Sequence, residues 1–364
     1  MTMDFTKTLC DLIAIPSISG DEAPIADYIE NYLRTNGLDV ERDEQDNLTC
    51  VVGAGDKILH VNGHMDTVMP VPGWTMDPFT PKVIDGRVYG LGSSDMKGGL
   101  AVMMHLATVV KPKVKTVFSF VVCEDGGSPN KQNGTRTLLS KWGGDWAITT
   151  EFSVCDGRLT LGLGTQGHVL GRVVVKGKSA HSSRPEDGHN AIYDAARVLH
   201  SIDQLNQSYR PVPIGQLASG RASIAATMID GGTAGSIVPE SCLITVSRRI
   251  TVGEDRATLE RELCAMTQGL NAEFTVHGGT PAVATDMDGS LLATARKAYR
   301  DLFGPEAYTF ERARTDLVLF GEKGMDVLNL GPGSSTAHSA DEYSEASNMP
   351  KAAALLERII NELE

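Results

Sequence analysis

Short apolar runs and helical periodicities alternate along much of this chain. The runs KILHVNGH, TVFSFVVCE, DWAITTE and MDVLNLGPG are apolar and rich in β-branched residues, a pattern typical of buried strands. Helical patterns lie between several of them, such as KGGLAVMMHLATVV. The segment EAPIADYIENYLRTNGL places Ile25, Ile29 and Leu33 at helical spacing before Gly37, which predicts a covering helix. This order predicts an α/β domain with a largely parallel sheet and helices on both faces.

The middle of the chain has a different pattern. Its segments predict, in order, a strand, a helix, two strands, a helix and a strand: GHVLGRVVVKGK, GHNAIYDAARVLHSIDQLNQ, ASIAATMID, SCLITVSRRI, DRATLERELCAMTQGL and AEFTVHG. This is the order of the split ferredoxin-like unit, which folds as a small α+β domain. We therefore predict that residues 167–279 form an inserted domain, and that residues 1–166 and 280–364 form the α/β domain around it.

Length, charge and cysteine content narrow the class of protein. A chain of 364 residues exceeds what one hydrophobic core usually serves, so two domains are expected. The net charge of -13 argues against nucleic acid and anionic membranes as partners, because those need clustered Lys and Arg. No apolar run is long enough to cross a bilayer, and the first residues lack the pattern of a secretory signal. The six cysteines have no CxxC spacing, which disfavours disulfides and thiolate zinc sites, so we predict a cytoplasmic protein.

Candidate metal ligands follow three of the predicted strands. His64 and Asp66 follow the first run, Glu124 and Asp125 follow the second, and Glu151 follows the third. In open α/β sheets, ligands bind outside the carboxyl ends of the strands. We therefore expect these side chains to converge on one crevice.

Two further candidates, Asp95 and His338, lie in loops. Asp95, in GLGSSDMKGG, stands where a loop enters a helix, and His338 follows the fourth run through GPGSSTAHSADEY. An acidic residue in such a place often caps a helix or is solvated, so each position alone is weak evidence. Their shared place beyond the strand ends favours a metal site.

The spacing within the two pairs suggests a division of labour. His64 and Asp66 are separated by one residue, so their side chains point to the same side of an extended segment. The Asp66 carboxylate is then expected to accept a hydrogen bond from the imidazole, which makes His64 a better metal ligand. Adjacent carboxylates at 124 and 125 repel each other unless a cation or proton lies between them. One of them can bind metal while its neighbour acts as the general base on metal-bound water.

A series of motifs gives these positions a wider context. In chain order they are HMDTV, WTMDPFTPKVIDGRVYGLGSSDMKGG, the acidic pair at 124–125, VKGKSAHSSRPEDGHNAI and GPGSSTAHSADEY. They resemble successive landmarks of the zinc aminoacylase and carboxypeptidase family, which includes acetylornithine deacetylase, succinyl-diaminopimelate desuccinylase and carboxypeptidase G. The resemblance runs from the first helix to the last and covers nearly the whole chain.

The resemblance implies two Zn²⁺ ions per subunit, with Co²⁺ or Mn²⁺ as alternatives. Asp95 would bridge the ions, His64 and Glu151 would complete one site, and Asp125 and His338 would complete the other. Mixed imidazole and carboxylate ligands with room for water are what a hydrolytic zinc site requires.

Roles outside the ligand set follow from the same resemblance. Glu124 matches the family's general base. His181, in SAHSSRPEDG, matches a histidine that reaches the neighbouring subunit's active site and helps hold the tetrahedral oxyanion. A homodimer through the inserted domain is therefore implied. Arg248 and Arg249, in VSRRI, resemble a carboxylate-binding arginine motif, and the sequence leaves open which of them binds substrate.

The chain departs from the family pattern near the second metal site. Cys123-Glu124-Asp125 stands where Asp-Glu-Glu is usual, so the metal ligand at 125 is one methylene shorter. This leaves the full occupancy of that site open. Ser236 stands where an asparagine is common, and the acyl group and amino acid of the substrate are left open as well.

The predicted function is hydrolysis of the amide bond in a small N-acyl amino acid, as in deacetylases and desuccinylases. In the family a glutamate at the position of Glu151 is typical of deacylases and carboxypeptidases. One alternative is a dipeptidase or carboxypeptidase with the same site. An alternative of another class is a catalytically silent relative that binds an amino acid or peptide, suggested by the unusual residues Cys123 and Asp125.

Overall fold

The computed structural model describes residues 3–364, and every side chain among them except that of Ser219. Its α-helices are α1 Phe5–Ile13, α2 Ala23–Thr35, α3 Gly98–Val109, α4 Gly134–Lys141, α5 Ala191–Ser208, α6 Arg256–Thr267, α7 Ser290–Phe303, α8 Leu317–Glu322 and α9 Asn348–Glu362. Its strands are β1 Val40–Arg42, β2 Leu48–Val52, β3 Ile58–His64, β4 Lys82–Ile84, β5 Arg87–Tyr89, β6 Lys115–Val121, β7 Trp146–Phe152, β8 Val154–Cys155, β9 Arg158–Leu159, β10 Leu161–Thr165, β11 Gly167–Lys176, β12 Ala180–His181, β13 Val212–Ile214, β14 Ala218–Gly220, β15 Ser223–Gly231, β16 Ile237–Val238, β17 Ser241–Ile250, β18 Ala272–Thr280, β19 Val283–Ala284, β20 Tyr308–Glu311, β21 Asp326–Gly331 and β22 Tyr343–Glu345.

These elements form two compact units. The first unit comprises the described residues up to Gly164 together with Ala284–Glu311 and Thr315–Glu364. The second unit comprises Thr165–Val283 and the short segment Arg312–Arg314. The membership of that short segment was not predicted, because three isolated residues carry no periodic pattern.

A nine-stranded sheet forms the centre of the first unit. Its order is β1-β2-β6-β3-β7-β21-β10-β19, and β20 pairs with β10. The four neighbours β6, β3, β7 and β21 are mutually parallel, whereas β1, β2 and β10 run antiparallel to their partners. The four parallel strands are the four apolar runs of the sequence, and the predicted fold class is confirmed.

Helix α3 packs closely against this sheet. Nine of its residues are buried, and it contacts β3, β6 and β7. At its start, a Cβ atom on Gly99 would lie 2.2 Å from the main-chain oxygen of Thr150 in β7. Only glycine permits this approach. The close contact sets the turn Ser93–Lys97, which immediately precedes α3, beside the end of β7.

The second unit is a four-stranded antiparallel sheet with two helices. The strand order is β15-β17-β11-β18, and α5 and α6 pack against the sheet. Its core includes Val173 and Val246 from the strands, Val198 from α5 and Leu259 from α6. The order of its main elements is the one that predicted a ferredoxin-like unit.

Two further features bear on the expectations from composition. No α-helix within residues 3–364 is long and apolar enough to cross a bilayer. All six cysteines are free thiols.

Candidate metal centre

The candidate ligands of the first unit lie where its parallel strands end. His64 is the last residue of β3, and Glu151 lies near the end of β7. Asp125 follows β6, and His338 lies in the loop after β21. Asp95 lies in the turn Ser93–Lys97. The carboxyl ends of parallel strands meet at one edge of a sheet, which is why residues so distant in sequence come together.

The first cluster consists of His64, Asp95 and Glu151. Each offers a ligand atom, and these atoms lie within 4.8 Å of one another. The Nε2 atom of His64 is 3.0 Å from Oδ1 of Asp95 and 3.4 Å from Oε1 of Glu151. All three side chains are almost fully buried.

The second cluster shares Asp95 and adds Asp125 and His338, again with ligand atoms within 4.8 Å of one another. The Nε2 atom of His338 is 2.7 Å from Oδ1 of Asp125 and 3.3 Å from Oδ2 of Asp95. The His338 side chain is 51% exposed, so this cluster is open to solvent on one side. Asp95 therefore presents one carboxylate oxygen to each histidine.

The pKa values of these groups reflect their crowding. Burial opposes protonation of His64, but the Glu151 charge and the Asp95 hydrogen bond outweigh it and raise the pKa. Burial, followed by the charge of Asp95, raises the pKa of Glu151 to about 8. Hydrogen bonds to Asp125 and Asp95 raise the pKa of His338 to about 11. Glu151 retains a proton because a second buried negative charge beside Asp95 is unfavourable, and His64 and His338 retain theirs because the carboxylates beside them favour positive charge. A divalent cation supplies that charge to the same atoms, so the donor set fits a metal.

Asp66 holds the acidic loop rather than the imidazole. The sequence predicted that its carboxylate accepts a hydrogen bond from His64. Instead, Nδ1 of His64 donates to the main-chain oxygen of Asp66 at 2.9 Å, and the carboxylate Oδ1 lies farther away at 3.6 Å. The carboxylate accepts N–H groups of Glu124, Asp125 and Gly126 at 3.0, 3.0 and 3.4 Å. The predicted consequence for His64 is unchanged, because the bond at Nδ1 directs Nε2 toward the cluster.

A second buried carboxylate, that of Glu22, holds the start of the same loop. Its Oε1 atom accepts the N–H of Gly20 at 2.8 Å and that of Cys123 at 3.2 Å, and it lies 3.3 Å from the Cys123 sulfur. Lys131 donates to Oε2 at 2.9 Å. Burial, followed by the charge of Glu22, raises the pKa of the Cys123 thiol to about 12. The thiol therefore stays protonated, whereas an aspartate at 123 would place a second carboxylate against Glu22.

A third buried carboxylate, that of Glu342, was not singled out by the sequence. It lies four residues after His338 and accepts N–H groups from the turn that carries Asp95. Burial, followed by the charge of Asp95, raises its pKa to about 8. Glutamates in polar loops are usually solvated, and no periodic pattern distinguishes this one.

The remaining predicted residues lie in the second unit. Arg248 is fully buried, stacks on Tyr209 and makes ion pairs with Glu254 at 2.7 Å and Glu262 at 3.0 Å. Burial opposes the charge of Arg248, but these two acids outweigh it and raise the pKa. For Arg249, burial and then the charge of Arg314 lower the pKa. The two neighbouring arginines therefore have opposite electrostatic surroundings.

Two histidines of the second unit, His168 and His181, have different surroundings. His168 is the cross-strand partner of Arg249 between β11 and β17, so both face the same side of the sheet. Burial, followed by the charges of Arg249 and Arg314, lowers the pKa of His168. His181 is exposed on β12, with Nδ1 2.8 Å from the hydroxyl of Ser183. It belongs to neither metal cluster.

Comparisons with known proteins agree with this geometry. The sequence profile of peptidase family M20/M25/M40 matches residues 60–362. Succinyl-diaminopimelate desuccinylase of Xanthomonas campestris pv. campestris (strain 8004) is 27% identical over 384 aligned positions, covering 100% of both chains. The M20 family metallo-carboxypeptidase Sso-CP2 from Sulfolobus solfataricus has a TM-score of 0.76 at 18% identity, with 99% of each chain covered. A dinuclear metal-binding M20 peptidase from Bacillus subtilis has a TM-score of 0.74 at 16% identity, with 98% of this chain and 96% of that chain covered.

The profile covers most of the sequence, from β3 to α9, and therefore includes every residue of the two metal clusters. The solved structures share the fold along essentially the whole chain. The resemblance seen in the sequence motifs is thereby confirmed. This protein belongs to peptidase family M20/M25/M40, a family of metal-dependent hydrolases.

Proposed function

We propose that this protein hydrolyses the amide bond of a small N-acyl amino acid at a centre of two Zn²⁺ ions. The observation that carries the proposal is the two-sided position of Asp95. Its Oδ1 atom lies 3.0 Å from Nε2 of His64, and its Oδ2 atom lies 3.3 Å from Nε2 of His338. One ion would be held by His64, Asp95 and Glu151, and the other by Asp95, Asp125 and His338. Co²⁺ and Mn²⁺ are alternatives with the same ligands.

Glu124 is the proposed general base. Zinc, when bound, polarises a carbonyl and lowers the pKa of water to about 7. Glu124 lies next to the ligand Asp125, and its own N–H is held by Asp66 at 3.0 Å. A positioned carboxylate that accepts a proton in the transition state typically contributes ~100 to 10,000-fold. The same carboxyl can then return the proton to the leaving amine.

Arg249 is the proposed binding group for the substrate carboxylate. Glu254 and Glu262 already take the donors of Arg248, and they fix it inside the second unit. The guanidinium of Arg249 is destabilised by burial and by Arg314, so a bound anion relieves repulsion there. N-acyl amino acids supply such a carboxylate. The name of the 27% identical relative, a desuccinylase, supports deacylation as the reaction.

A homodimer through the second unit is also proposed. Strand β15 is at the edge of the sheet, and its residues Met228 and Ile229 are 69% and 54% exposed. Tyr193 on α5 is 71% exposed. An exposed apolar edge strand is suited to pairing with a second copy. In such a dimer, His181 would help hold the oxyanion in the partner's site. A cytoplasmic location stays a prediction, with which the free cysteines agree.

Metal removal tests the proposed reaction. Protein treated with a chelator should lose hydrolysis of N-acetyl and N-succinyl amino acids, and Zn²⁺ should restore it. Dipeptides assayed alongside separate a deacylase from a peptidase with the same site. Undiminished turnover in a metal-free preparation would contradict the metal mechanism. Zinc-loaded protein that binds these compounds without cleaving them would identify a silent relative.

A further inference from the structure

The carboxylate of Glu342 is placed to control the position of Asp95. Glu342 is 1% exposed. Its Oε1 atom accepts the N–H of Ser94 at 2.7 Å and that of Asp95 at 3.0 Å, and its Oε2 atom accepts the N–H of Gly92 at 3.0 Å. One side chain thus holds three main-chain groups at the start of the turn Ser93–Lys97 and at Gly92 just before it.

This turn lacks the regular backbone that would satisfy those groups itself. Asp95 and Met96 have non-helical dihedral angles, φ -126°, ψ 92° and φ -133°, ψ 37°. Their segment therefore lacks the repeating main-chain hydrogen bonds of a helix. A buried N–H group that loses its partner destabilises the conformation that buries it, because no water replaces the lost hydrogen bond. The conformation that presents Asp95 depends on an acceptor from elsewhere in the chain, and Glu342 supplies it.

The same contacts join the two loops that carry ligands. The hydroxyl of Ser94 donates to the main-chain oxygen of Ser334 at 2.5 Å and accepts the N–H of Ser334 at 2.8 Å. Ser334 lies near the start of the loop that contains His338, and Glu342 is the last residue of that loop. A shift of Glu342 would therefore change both the Asp95 turn and the His338 loop.

We propose that Glu342 is a positioning residue that holds Asp95 at the junction of the two metal sites. The inference rests on the proposed two-metal centre. Asp95 belongs to both clusters, so loss of its support weakens the binding of both ions. Loss of Asp125, which belongs to one cluster, weakens the binding of one ion. This difference distinguishes Glu342 from an ordinary ligand.

The test is zinc binding by the metal-free full chain, measured by calorimetry and by metal content after dialysis. In Glu342→Gln only one oxygen remains, and the amide NH₂ group faces a main-chain N–H. Substitution of groups that orient metal ligands typically lowers metal affinity ~10- to 100-fold. We expect that loss for both ions. Glu345→Gln is the matched control. Glu345 lies three residues after Glu342 and pairs with Arg87, so this variant should bind both ions as the native chain does.

Circular dichroism and melting of the metal-free variants separate positioning from folding. Glu342→Asp retains the carboxyl group but is one methylene shorter, so it should fold if Glu342→Gln does not and should still bind both ions more weakly. Native affinity for both ions in a folded Glu342 variant, or weakening of only one, would overturn the inference. If the native chain itself binds no zinc, the proposed function fails instead, which is a separate result.

Discussion

At the scale of single residues, Glu124 and Asp125 are adjacent in sequence but have different proposed roles. Glu124→Gln keeps the size of the side chain and removes the base. Turnover should fall by roughly 100- to 10,000-fold, while zinc content stays near that of the native chain. Steady-state kinetics and metal analysis on the same preparation check this.

Asp125→Ala is the matched control for that substitution. It removes a side chain 2.7 Å from His338, so zinc content should fall. Equal loss of zinc in both variants, with normal turnover per bound ion, would show that the roles are assigned wrongly.

The adjacent arginines Arg248 and Arg249 form a second matched pair. Arg249→Ala should raise KM for N-acyl amino acids roughly 10- to 100-fold, because a hydrogen bond to a charged group contributes about 1.5 to 3 kcal/mol. The free energy of unfolding of Arg249→Ala should change little. Arg248→Ala leaves Glu254 and Glu262 without their partner and should destabilise the chain by about 3 to 5 kcal/mol.

Kinetics and urea unfolding of both variants test this assignment. A substrate whose carboxylate is converted to an amide should be insensitive to Arg249→Ala. If that neutral substrate lost as much affinity as the acid, Arg249 would not be the carboxylate-binding group.

Sequence spacing predicted where the candidate ligands lie, but it did not predict the hydrogen-bond partners of Asp66. The strand-end positions of His64, Glu124, Asp125 and Glu151 followed from local patterns. The partner of Asp66 did not, because its carboxylate binds main-chain groups 58 to 60 residues later in the chain. Side-chain alternation in a strand predicts direction but not which distant segment lies there. The catalytic and ligand roles of these residues stay predictions until the variants are measured.

At the scale of elements, the parallel strands were the most predictable feature. Strands β3, β6, β7 and β21 coincide with the four apolar runs because burial on both faces demands continuous apolar sequence. The antiparallel pairs β8–β9, β12–β16 and β13–β14 were not predicted. Strands of two or three residues are too short to show a period of two. Polar tethers such as Glu342 to the Asp95 turn were missed for a similar reason, since they join distant loops.

The loop Cys123–Gly126 depends on carboxylates from two other segments, and Glu22 is the one that can be tested by stability. Glu22→Ala leaves the N–H groups of Gly20 and Cys123 without their acceptor. At about 1 to 3 kcal/mol for each N–H that loses its acceptor, the two groups together should lower the free energy of unfolding by about 2 to 6 kcal/mol. Cys123 also has a left-handed backbone, with φ of 54°, which the loss of its tether should release.

Urea denaturation of the metal-free protein measures this effect. Glu41→Ala is the control, because Glu41 pairs with Lys141 at 3.5 Å and both side chains are more than half exposed. Such a surface pair contributes about 0 to 1 kcal/mol. Equal stability changes in the two variants would show that Glu22 does not hold the loop.

At the scale of the whole molecule, the metal centre should make stability depend on pH. In the metal-free protein the pKa values of Glu151 and Glu342 are raised from 4.5 to about 8. The folded state therefore holds more protons than the unfolded state between pH 4.5 and 8. The contribution of these two groups to stability is fully present below their unfolded-state pKa of 4.5, and it is lost as the pH rises toward 8. His338, with its pKa raised from 6.5 to about 11, acts in the same direction above pH 6.5.

Zinc should reverse this dependence, because it binds the deprotonated ligands. We expect the Tm of metal-free protein to fall between pH 5.5 and 8.5, and that of zinc-loaded protein to hold steady or rise. Thermal melts of both forms at matched ionic strength check the prediction. A metal-free Tm that rises across this range would contradict it.

The second unit carries His181, whose proposed role involves two copies of the chain. Its ferredoxin-like order was predictable from the alternation of strand and helix patterns, whereas its contribution to catalysis is a proposal. His181 lies in this unit, outside both metal clusters. Taken by itself it is an exposed histidine bonded to Ser183, which many surface loops contain. If His181 takes part in catalysis, we propose that it does so at the metal centre of the partner subunit.

Mixing two inactive variants tests that role directly. Glu124→Gln lacks the base, and His181→Ala lacks the proposed oxyanion donor, whose loss typically costs ~100 to 1,000-fold in turnover. If His181 acts across the dimer, a mixed dimer contains one site with an intact Glu124 and an intact His181 from the partner. Activity should then recover to as much as about a quarter of the native value at equal mixing, since half of the dimers are mixed and each has one complete site of two. If the variants exchange subunits freely, as shown by differently labelled chains, and the mixture stays as inactive as its parents, then His181 does not act in trans.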